Sequence, residues 1–308
     1  MKKISIVTPT FNEEENIERL CHEIKHEIEK LNYNYEHIVI DNCSTDKTID
    51  KLREIASKDK NVKVIINSRN YGHIKSPFYG MLQSSGDACI LMVADFQEPM
   101  DLIPKYITKW ESGSKIVLGE KIASDENNFM FTLRKLFYYF LNKISETKLS
   151  TNTTGTGLFD KEVINRLKKI NDPYPYFRGL ISEIGFKIET IKFHQPLRKF
   201  GITKNNFFTL YDLAMLGIVK HSRMPLRFMT LLGFIASFGC LLVAMVYLIL
   251  KLIFWNSFTL GSAPTLIGIF AISSIQIMLL GLLGEYIGII LLHQRNMPLV
   301  IEKERINF

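Results

Sequence analysis

Hydrophobic positions follow two regimes along the chain. In the first part they come as short runs, several rich in β-branched residues, each closed by polar or turn-forming residues: Ile4 to Thr8, His37 to Asp41, Val62 to Asn67 and Ala88 to Val93, with a later one at Ile116 to Leu118. Continuous runs of this length suit buried strands of a parallel sheet. Helical segments separate them. Asn12 is placed to cap a helix from Glu13 or Glu14 to about Asn32, whose first-turn glutamates suit the helix dipole. Asp46 is placed to cap the next, about Lys47 to Lys58, and Pro77 to stand in the first turn of a third that ends near Gly86. Strands alternating with helices predict an α/β domain with a mainly parallel sheet.

Beyond Pro225 the apolar runs lengthen. Leu226 to Leu250 is long enough to span a bilayer, and Ala263 to Leu292 is a second such run, interrupted by Glu285 and a few polar or small residues. The loop between them, Lys251 to Ser262, is short. Basic residues flank the outer ends, Lys220, Arg223 and Arg227 before and Arg295, Lys303 and Arg305 after, which puts both ends on the cytoplasmic side of a cytoplasmic membrane. The expected organisation is a cytoplasmic domain over 1–200, a basic juxtamembrane loop and interface helix over 201–225, a two-helix transmembrane hairpin over 226–292 and a cytoplasmic tail over 293–308. Two further segments are amphipathic. Phe129 to Ile144 alternates aromatic and aliphatic residues with Arg134, Lys135 and Lys143, and suits either packing on the sheet or a position in the membrane interface. Asn206 to Lys220 is similar and leads toward the membrane.

The 308 residues carry a formal net charge of +7, and much of the basic excess lies beside the apolar C-terminal part, where it favours anionic headgroups. There is no basic face with interleaved aromatics and no nucleic-acid-binding module, so a nucleic-acid partner is not expected. The four cysteines lack metal-type spacing. The opening, Met1-Lys2-Lys3 followed by Ile4, reads as a strand, its apolar run being too short for a signal peptide.

Ligands of open α/β sheets bind beyond the carboxyl ends of the strands. Those ends read Thr8-Pro9-Thr10, Asp41-Asn42-Cys43-Ser44, Ser68-Arg69-Asn70 and Ala94-Asp95-Phe96-Gln97, so polar and acidic groups converge on one rim. With Glu13 and Glu14 after the first strand, Tyr71-Gly72 after the third, Glu98-Pro99 after the fourth, Arg198 to Lys204 and Gly284-Glu285-Tyr286-Ile287-Gly288, the series resembles the family 2 glycosyltransferases of GT-A fold. More closely, it resembles the polyprenyl-phosphate glycosyltransferases of the dolichol-phosphate mannose synthase and GtrB type. The resemblance runs over nearly the whole chain.

That resemblance implies inverting transfer of a sugar from a nucleoside-diphosphate sugar, a UDP-sugar in our reading, to polyprenyl phosphate (undecaprenyl phosphate in a bacterium), for cell-surface glycans. Mg²⁺ or Mn²⁺ would neutralise the leaving diphosphate, held by Asp95 and Gln97. Pro9, Glu13, Asp41, Asn42, Ser44 and Arg69 would form the nucleotide pocket together with Asp95. Arg198, Thr203 and Lys204 would receive the lipid phosphate, with Arg134 and Arg178 as further cations. Relatives form oligomers, tetramers among them. A lipid phosphate is already ionised, so a strong general base is less necessary than for a sugar hydroxyl.

Three departures from the family pattern stand out. Val93 occupies the first acidic position of the usual Asp-Ala-Asp. Asn42-Cys43 replaces Asp-Gly in the nucleotide turn. Thr154-Gly155-Thr156-Gly157-Leu158 stands where close relatives have Gly-Asp-Phe-Arg, and Glu183 is the expected replacement acid near the sugar. The alternatives are another lipid or glycan acceptor, or a non-catalytic membrane sensor or scaffold. The Gln-x-x-Arg-Trp motif of processive synthases is missing.

Overall fold

The computed structural model describes residues 1–123, 153–170, 172–195, 215–219, 224–254, 262–295 and 297–308. The elements in chain order are β1 (Lys3–Thr10), α1 (Ile17–Glu29), β2 (Asn34–Asp41), α2 (Thr48–Lys58), β3 (Val62–Asn67), α3 (Gly72–Leu82), β4 (Ala88–Leu91), α4 (Leu102–Glu111), β5 (Ile116–Ala123) and β6 (Thr153–Asp160). There follow α5 (Lys161–Lys168), α6 (Phe177–Ile184), β7 (Ile188–His194), α7 (Met224–Ile253), α8 (Ser262–Gln294) and β8 (Glu302–Ile306). The eight strands form one sheet in the order β7-β5-β6-β4-β1-β2-β3-β8. Its centre, β4-β1-β2-β3, is parallel throughout, and β5 pairs in parallel with β7. β6 runs antiparallel to both β4 and β5, and β8 antiparallel to β3.

Two apolar layers cover the sheet. On one face Ile17, Leu20 and Ile24 of α1, Leu52 and Ala56 of α2, and Leu102, Ile103 and Tyr106 of α4 pack on Ile4, Ile6, Val39, Val64 and Ile90. On the other, Phe78 and Met81 of α3, Val163, Ile164 and Leu167 of α5, and Leu180 and Ile181 of α6 meet Val7, Ile38, Ile40 and Ile65. Because both faces are covered, β1 and β2 are buried at nearly every position, which is why they read as unbroken apolar runs. At the amino ends of the strands Glu36, 1% exposed, ties the sheet together. It pairs with Lys3 at 2.8 Å and Lys63 at 2.9 Å, and accepts from Ser5 and from the Ser85 backbone.

The structure corrects several element boundaries. α1 begins at Ile17, later than expected, because the residues read as its cap are used elsewhere. Asn12 has a positive φ of 55° and its Oδ1 accepts from the Thr45 amide at 2.8 Å, while a Glu14 carboxylate oxygen accepts from the Lys47 amide at 2.9 Å. α3 begins at Gly72 rather than at Pro77, so Pro77 lies inside it. Its start is set by side-chain acceptors, Asn42 Oδ1 for the Tyr71 amide and Asn70 Oδ1 for the Gly72 amide, each at 2.8 Å. Lys47, not Asp46, stands at the cap position of α2, and Asp46 Oδ1 accepts from the Thr48 amide at 3.0 Å from one residue earlier.

The segment 154–158, for which the sequence pattern predicts no strand, is the middle of β6. Leu158 and Phe159 are buried there, and Gly157 pairs with both Leu91 and Leu118. A Cβ on Gly157 would stand 2.1 Å from the Val117 carbonyl oxygen at a φ of +150°, so only glycine lets β5 and β6 approach this closely.

α7 and α8 contain the two long apolar runs. At 1.5 Å per residue, 30 and 33 residues give lengths of about 45 and 50 Å. Among the described residues one helical stretch, Ile275–Gln294 within α8, is long and apolar enough to cross a bilayer, and none of it is buried against the protein. α7 carries the shorter apolar stretch Met224–Ala236, with Phe228, Phe234 and Phe238 exposed along the helix. The segment 293–308, expected as a tail, returns to the sheet as β8, where Ile306 pairs with Val64 and Glu304 bridges to Arg53 at 2.6 Å. The expected amphipathic helix 129–144 lies outside the described residues, and of 206–220 only 215–219 is described, as helix.

Candidate active site

The carboxyl ends of β1, β2, β3 and β4 form one rim, and each end is fixed by side-chain hydrogen bonds. Asp41, fully buried at the end of β2, accepts from the Ser44 amide at 2.8 Å, from the Ser44 hydroxyl, and from Thr10 Oγ1 at 3.3 Å. Burial pushes the Asp41 carboxyl above its usual range, and the bonds from Ser44 and Thr10 pull against that shift. Ser44 Oγ in turn accepts from the Asn12 amide at 2.8 Å, so the loops after β1 and β2 are locked together. Glu13 belongs to the same lock: its amide donates to Thr48 Oγ1 at 2.9 Å and its carboxylate accepts from Asn16 at 2.7 Å.

Asn42 is engaged by the turn between β3 and α3. Its amide donates to Asn70 Oδ1 at 2.8 Å and to the Gly72 carbonyl at 3.2 Å, while its Oδ1 accepts from Asn67 at 3.1 Å and from the Tyr71 amide. Both ends of the amide are used to shape the β3–α3 turn, which a carboxylate could not do because it has no hydrogen to donate. Arg69 is exposed on that turn, its guanidinium 4.3 Å from the Tyr71 ring centre.

After β4, Asp95 is half-buried and its Oδ1 accepts from the Gln97 amide at 3.1 Å. Gln97 Oε1 accepts from Gln195, just beyond β7, at 2.9 Å. Phe96 between them adopts a φ of 54°, with Arg19 stacked on its ring. Asp95 and Gln97 thus offer oxygen donors on one short loop. Among the described residues no cluster of three His, Cys, Asp or Glu side chains exists, so the described part of this loop offers a metal one carboxylate and one amide oxygen. Hard divalent cations bound beside phosphates use that donor set, and the residues fit one.

Sequence reading missed Glu98. It is 4% exposed and accepts a hydrogen bond from the Thr156 hydroxyl, which ties the Asp95 loop to β6. Its signal in the sequence was its place in the Glu98-Pro99 motif directly after Gln97.

Beside this loop opens a cavity of about 300 Å³ between the ends of β1 and β4, the start of β6, α3 and α6. Pro9, Val93, Gly155 and Arg178 all line it. Of the three departures from the family pattern, Val93 and the Gly155-Thr156 segment are thus walls of one chamber, and Asn42-Cys43 is not. Its remaining walls include Ile74, Phe78, Tyr176 and Phe177, with His73 and Thr156 as further polar members. Ile74 and Tyr176 also pack in an apolar cluster with Leu216 and Ile218 of the 215–219 helix and Ile289 of α8. Asp172, buried in the loop before α6, faces His293 at the end of α8 at 3.5 Å.

Not every expected residue reaches the rim. Glu183 is exposed in the last turn of α6, at the opposite end of that helix from Arg178, and does not line the cavity. Arg134, Arg198, Thr203 and Lys204 lie outside the described residues.

Comparison with known proteins places this arrangement. Residues 5–168 match the model of glycosyl transferase family 2. A bactoprenol glucosyl transferase of Shigella phage SfX is 32% identical over 98% of this chain and 99% of its own length. An uncharacterized glycosyltransferase of Bacillus subtilis is 32% identical over 96% of this chain and 92% of its own. Among solved structures, glucosyl-3-phosphoglycerate synthase from Mycobacterium tuberculosis, in complex with Mn²⁺, UDP-glucose and phosphoglyceric acid, superimposes with a TM-score of 0.50 at 18% identity, over 71% of this chain and 78% of that one. That likeness is one of fold.

Proposed function

Because the chain belongs to glycosyl transferase family 2, we propose that it moves one sugar from a nucleoside-diphosphate sugar, a UDP-sugar, to the phosphate of a polyprenyl lipid at the cytoplasmic face of a membrane. The observation that carries this reading is the near full-length match to a bactoprenol glucosyl transferase, which extends through both long helices and β8. The product would be a lipid-linked sugar for cell-surface glycans.

In this reading Pro9, Glu13, Asp41 and Ser44 form the nucleotide end of the rim. Asp41 is oriented by Thr10 and Ser44 toward the base, and Arg69 stands at the edge of the turn. Asn42 acts through the β3–α3 turn it shapes. Asp95 and Gln97 would hold Mg²⁺ or Mn²⁺, which when bound neutralises charge building on the leaving diphosphate. A lipid phosphate oxygen attacks the anomeric carbon; the new C–O bond forms as the bond to the diphosphate breaks, and configuration inverts. The nucleophile carries its charge already, so the chain need only aim it. Arg178, which lines the chamber, is given that task in this reading, and Arg134, Arg198, Thr203 and Lys204 are the further phosphate contacts of the proposal. Glu183 is the weaker member of the set, given its position.

β8 supports a membrane hairpin. It follows α7 and α8 and pairs with β3, so the chain leaves and returns on the same side. An even number of crossings satisfies that, and two helices of about 45 and 50 Å suffice for both. Both ends of the hairpin and the domain 1–200 would then be cytoplasmic. A homo-oligomer is compatible with this arrangement.

The test uses the full chain in detergent with undecaprenyl phosphate and Mn²⁺, following release of nucleoside diphosphate from a panel of nucleotide sugars. Lipid-dependent release from one donor is expected. Asp95→Ala should lower it at least about a hundredfold, the scale for losing one group that stabilises transition-state charge. If UDP binds and no donor gives lipid-dependent release, the acceptor is wrong.

A further inference from the structure

The chamber beside Asp95 is built for something other than sugar hydroxyls. Its walls are mostly apolar, Val93, Ile74, Phe78, Phe177 and the Tyr176 ring; His73 and Thr156 are polar members besides Arg178, and Thr156 already donates to Glu98. A hexose pressed against them would lose hydrogen bonds to water without replacement, a large cost for a buried hydroxyl. The volume is about that of ten waters in the liquid, room enough for a branched hydrocarbon segment. Two further observations give direction. Arg178 brings a cation into this apolar lining, and it stands beside Gly155, where an added Cβ would lie 3.6 Å from its Nε. Ile74 and Tyr176 also pack with Leu216, Ile218 and Ile289, so apolar packing links the chamber wall to α8. A cation, an apolar chamber and a wall packed against the apolar helix α8 together match an amphiphile with a phosphate head.

We infer that this chamber receives the phosphate-proximal isoprenoid units of the acceptor lipid while Arg178 meets the phosphate. The inference rests on the polyprenyl-phosphate reading above. Val93 then has a reason: a carboxylate in its place would put a charge against hydrocarbon. The chain would recognise the acceptor by its first units, and the remainder of the lipid would stay in the bilayer.

The experiment uses the full chain in detergent and farnesyl phosphate bearing a photoreactive diazirine on its first isoprene unit, with adducts mapped by mass spectrometry. Adducts on the segments holding Ile74, Val93 and Tyr176 are expected, competed by undecaprenyl phosphate. In parallel, Val93→Trp and Ile74→Trp should raise the KM for farnesyl phosphate about tenfold or more, the discrimination that small changes in a hydrophobic pocket give, with UDP affinity unchanged as the check on folding. Adducts confined to α7 and α8 would overturn the inference. So would variants that lose affinity for the nucleotide sugar but not for UDP, because the chamber would then hold the donor sugar. Neither result touches lipid-dependent transfer by the unmodified enzyme. Failure of that transfer from every donor would sink the parent reading instead, whatever the adducts show.

Discussion

Restoring the family's acid at Asn42 should damage this protein. Asn42 is 6% exposed and its amide donates to Asn70 Oδ1 at 2.8 Å and to the Gly72 carbonyl at 3.2 Å. In Asn42→Asp both donors become an oxygen facing two oxygens. Losing two such bonds costs about 1–3 kcal/mol. Desolvating a carboxylate against unpaired acceptors adds about another 1 kcal/mol, limited by the option of taking up a proton. For a domain of this size a total of about 2–4 kcal/mol lowers Tm by roughly 5–15 °C. The assay is thermal unfolding of the full chain in detergent, followed by intrinsic fluorescence at pH 8 and pH 5. Because the buried carboxyl is protonated more readily in the folded state, it regains one donor in acid, and the gap between variant and parent should narrow at pH 5. A variant that unfolds within about a degree of the parent at pH 8, or a gap that widens in acid, would refute the assignment of the amide orientation and with it the turn-shaping role.

Other expectations follow from the same structure. Gly157→Ala places a methyl 2.1 Å from the Val117 carbonyl oxygen at an unfavourable φ, and should cost upward of about 2 kcal/mol, read as lost yield and lowered Tm. His37, fully buried against Thr8, is held by burial at a pKa of about 4 against an ordinary value of 6.5. The unfolded chain therefore binds more protons between those values, so stability should fall as pH drops from 6.5 to 4, by up to about 3 kcal/mol, and His37→Gln should flatten that slope in acid-unfolding curves. For Glu36, burial raises the pKa, but hydrogen bonds from Lys3, Ser5, Lys63 and Ser85 outweigh it and leave it at about 2. Its stabilisation is present above pH 4.5 and lost as pH falls toward 2, so Glu36→Gln should reduce the acid sensitivity of unfolding in that lower window. Deleting residues 302–308 removes β8 and the Arg53–Glu304 bridge and should leave β3 as an open edge, seen as self-association by light scattering.

The centre of the sheet was legible because β1 to β4 are covered on both faces, and such strands announce themselves as apolar runs. β6 was not, since glycine and threonine read as a loop until one sees that β5 comes within van der Waals range of Gly157. β8 was hidden for another reason: Glu302, Lys303, Glu304 and Arg305 sit on an edge, half-exposed, where charge is tolerated and no apolar run is needed. The start of α1 was misplaced because Asn12 and Glu14 hydrogen-bond to the loop after β2, and that loop's proximity cannot be read from local spacing. At the site, Asp41, Asp95 and Gln97 do share a rim, as strand-end logic requires. Val93 and Gly155, legible only as losses, became parts of one wall once α3 and α6 were placed around them. Glu183, exposed in the last turn of α6, does not line the chamber that Arg178 lines.

The return of the chain to β3 after two long helices has a consequence for how the protein is made. The edge of β3 faces solvent until residues 302–306 emerge, and they emerge only after α7 and α8 have been synthesised. With the hairpin in the bilayer as proposed, the catalytic sheet gains its outermost strand only once the hairpin has found its place, so membrane insertion comes before the final step of domain folding. A chain that stalls outside the membrane would carry both an unpaired strand edge and two exposed apolar helices. Those are marks that quality-control machinery can recognise, and they would keep a stranded copy from persisting as a soluble enzyme acting on the cytoplasmic pool of nucleotide sugars.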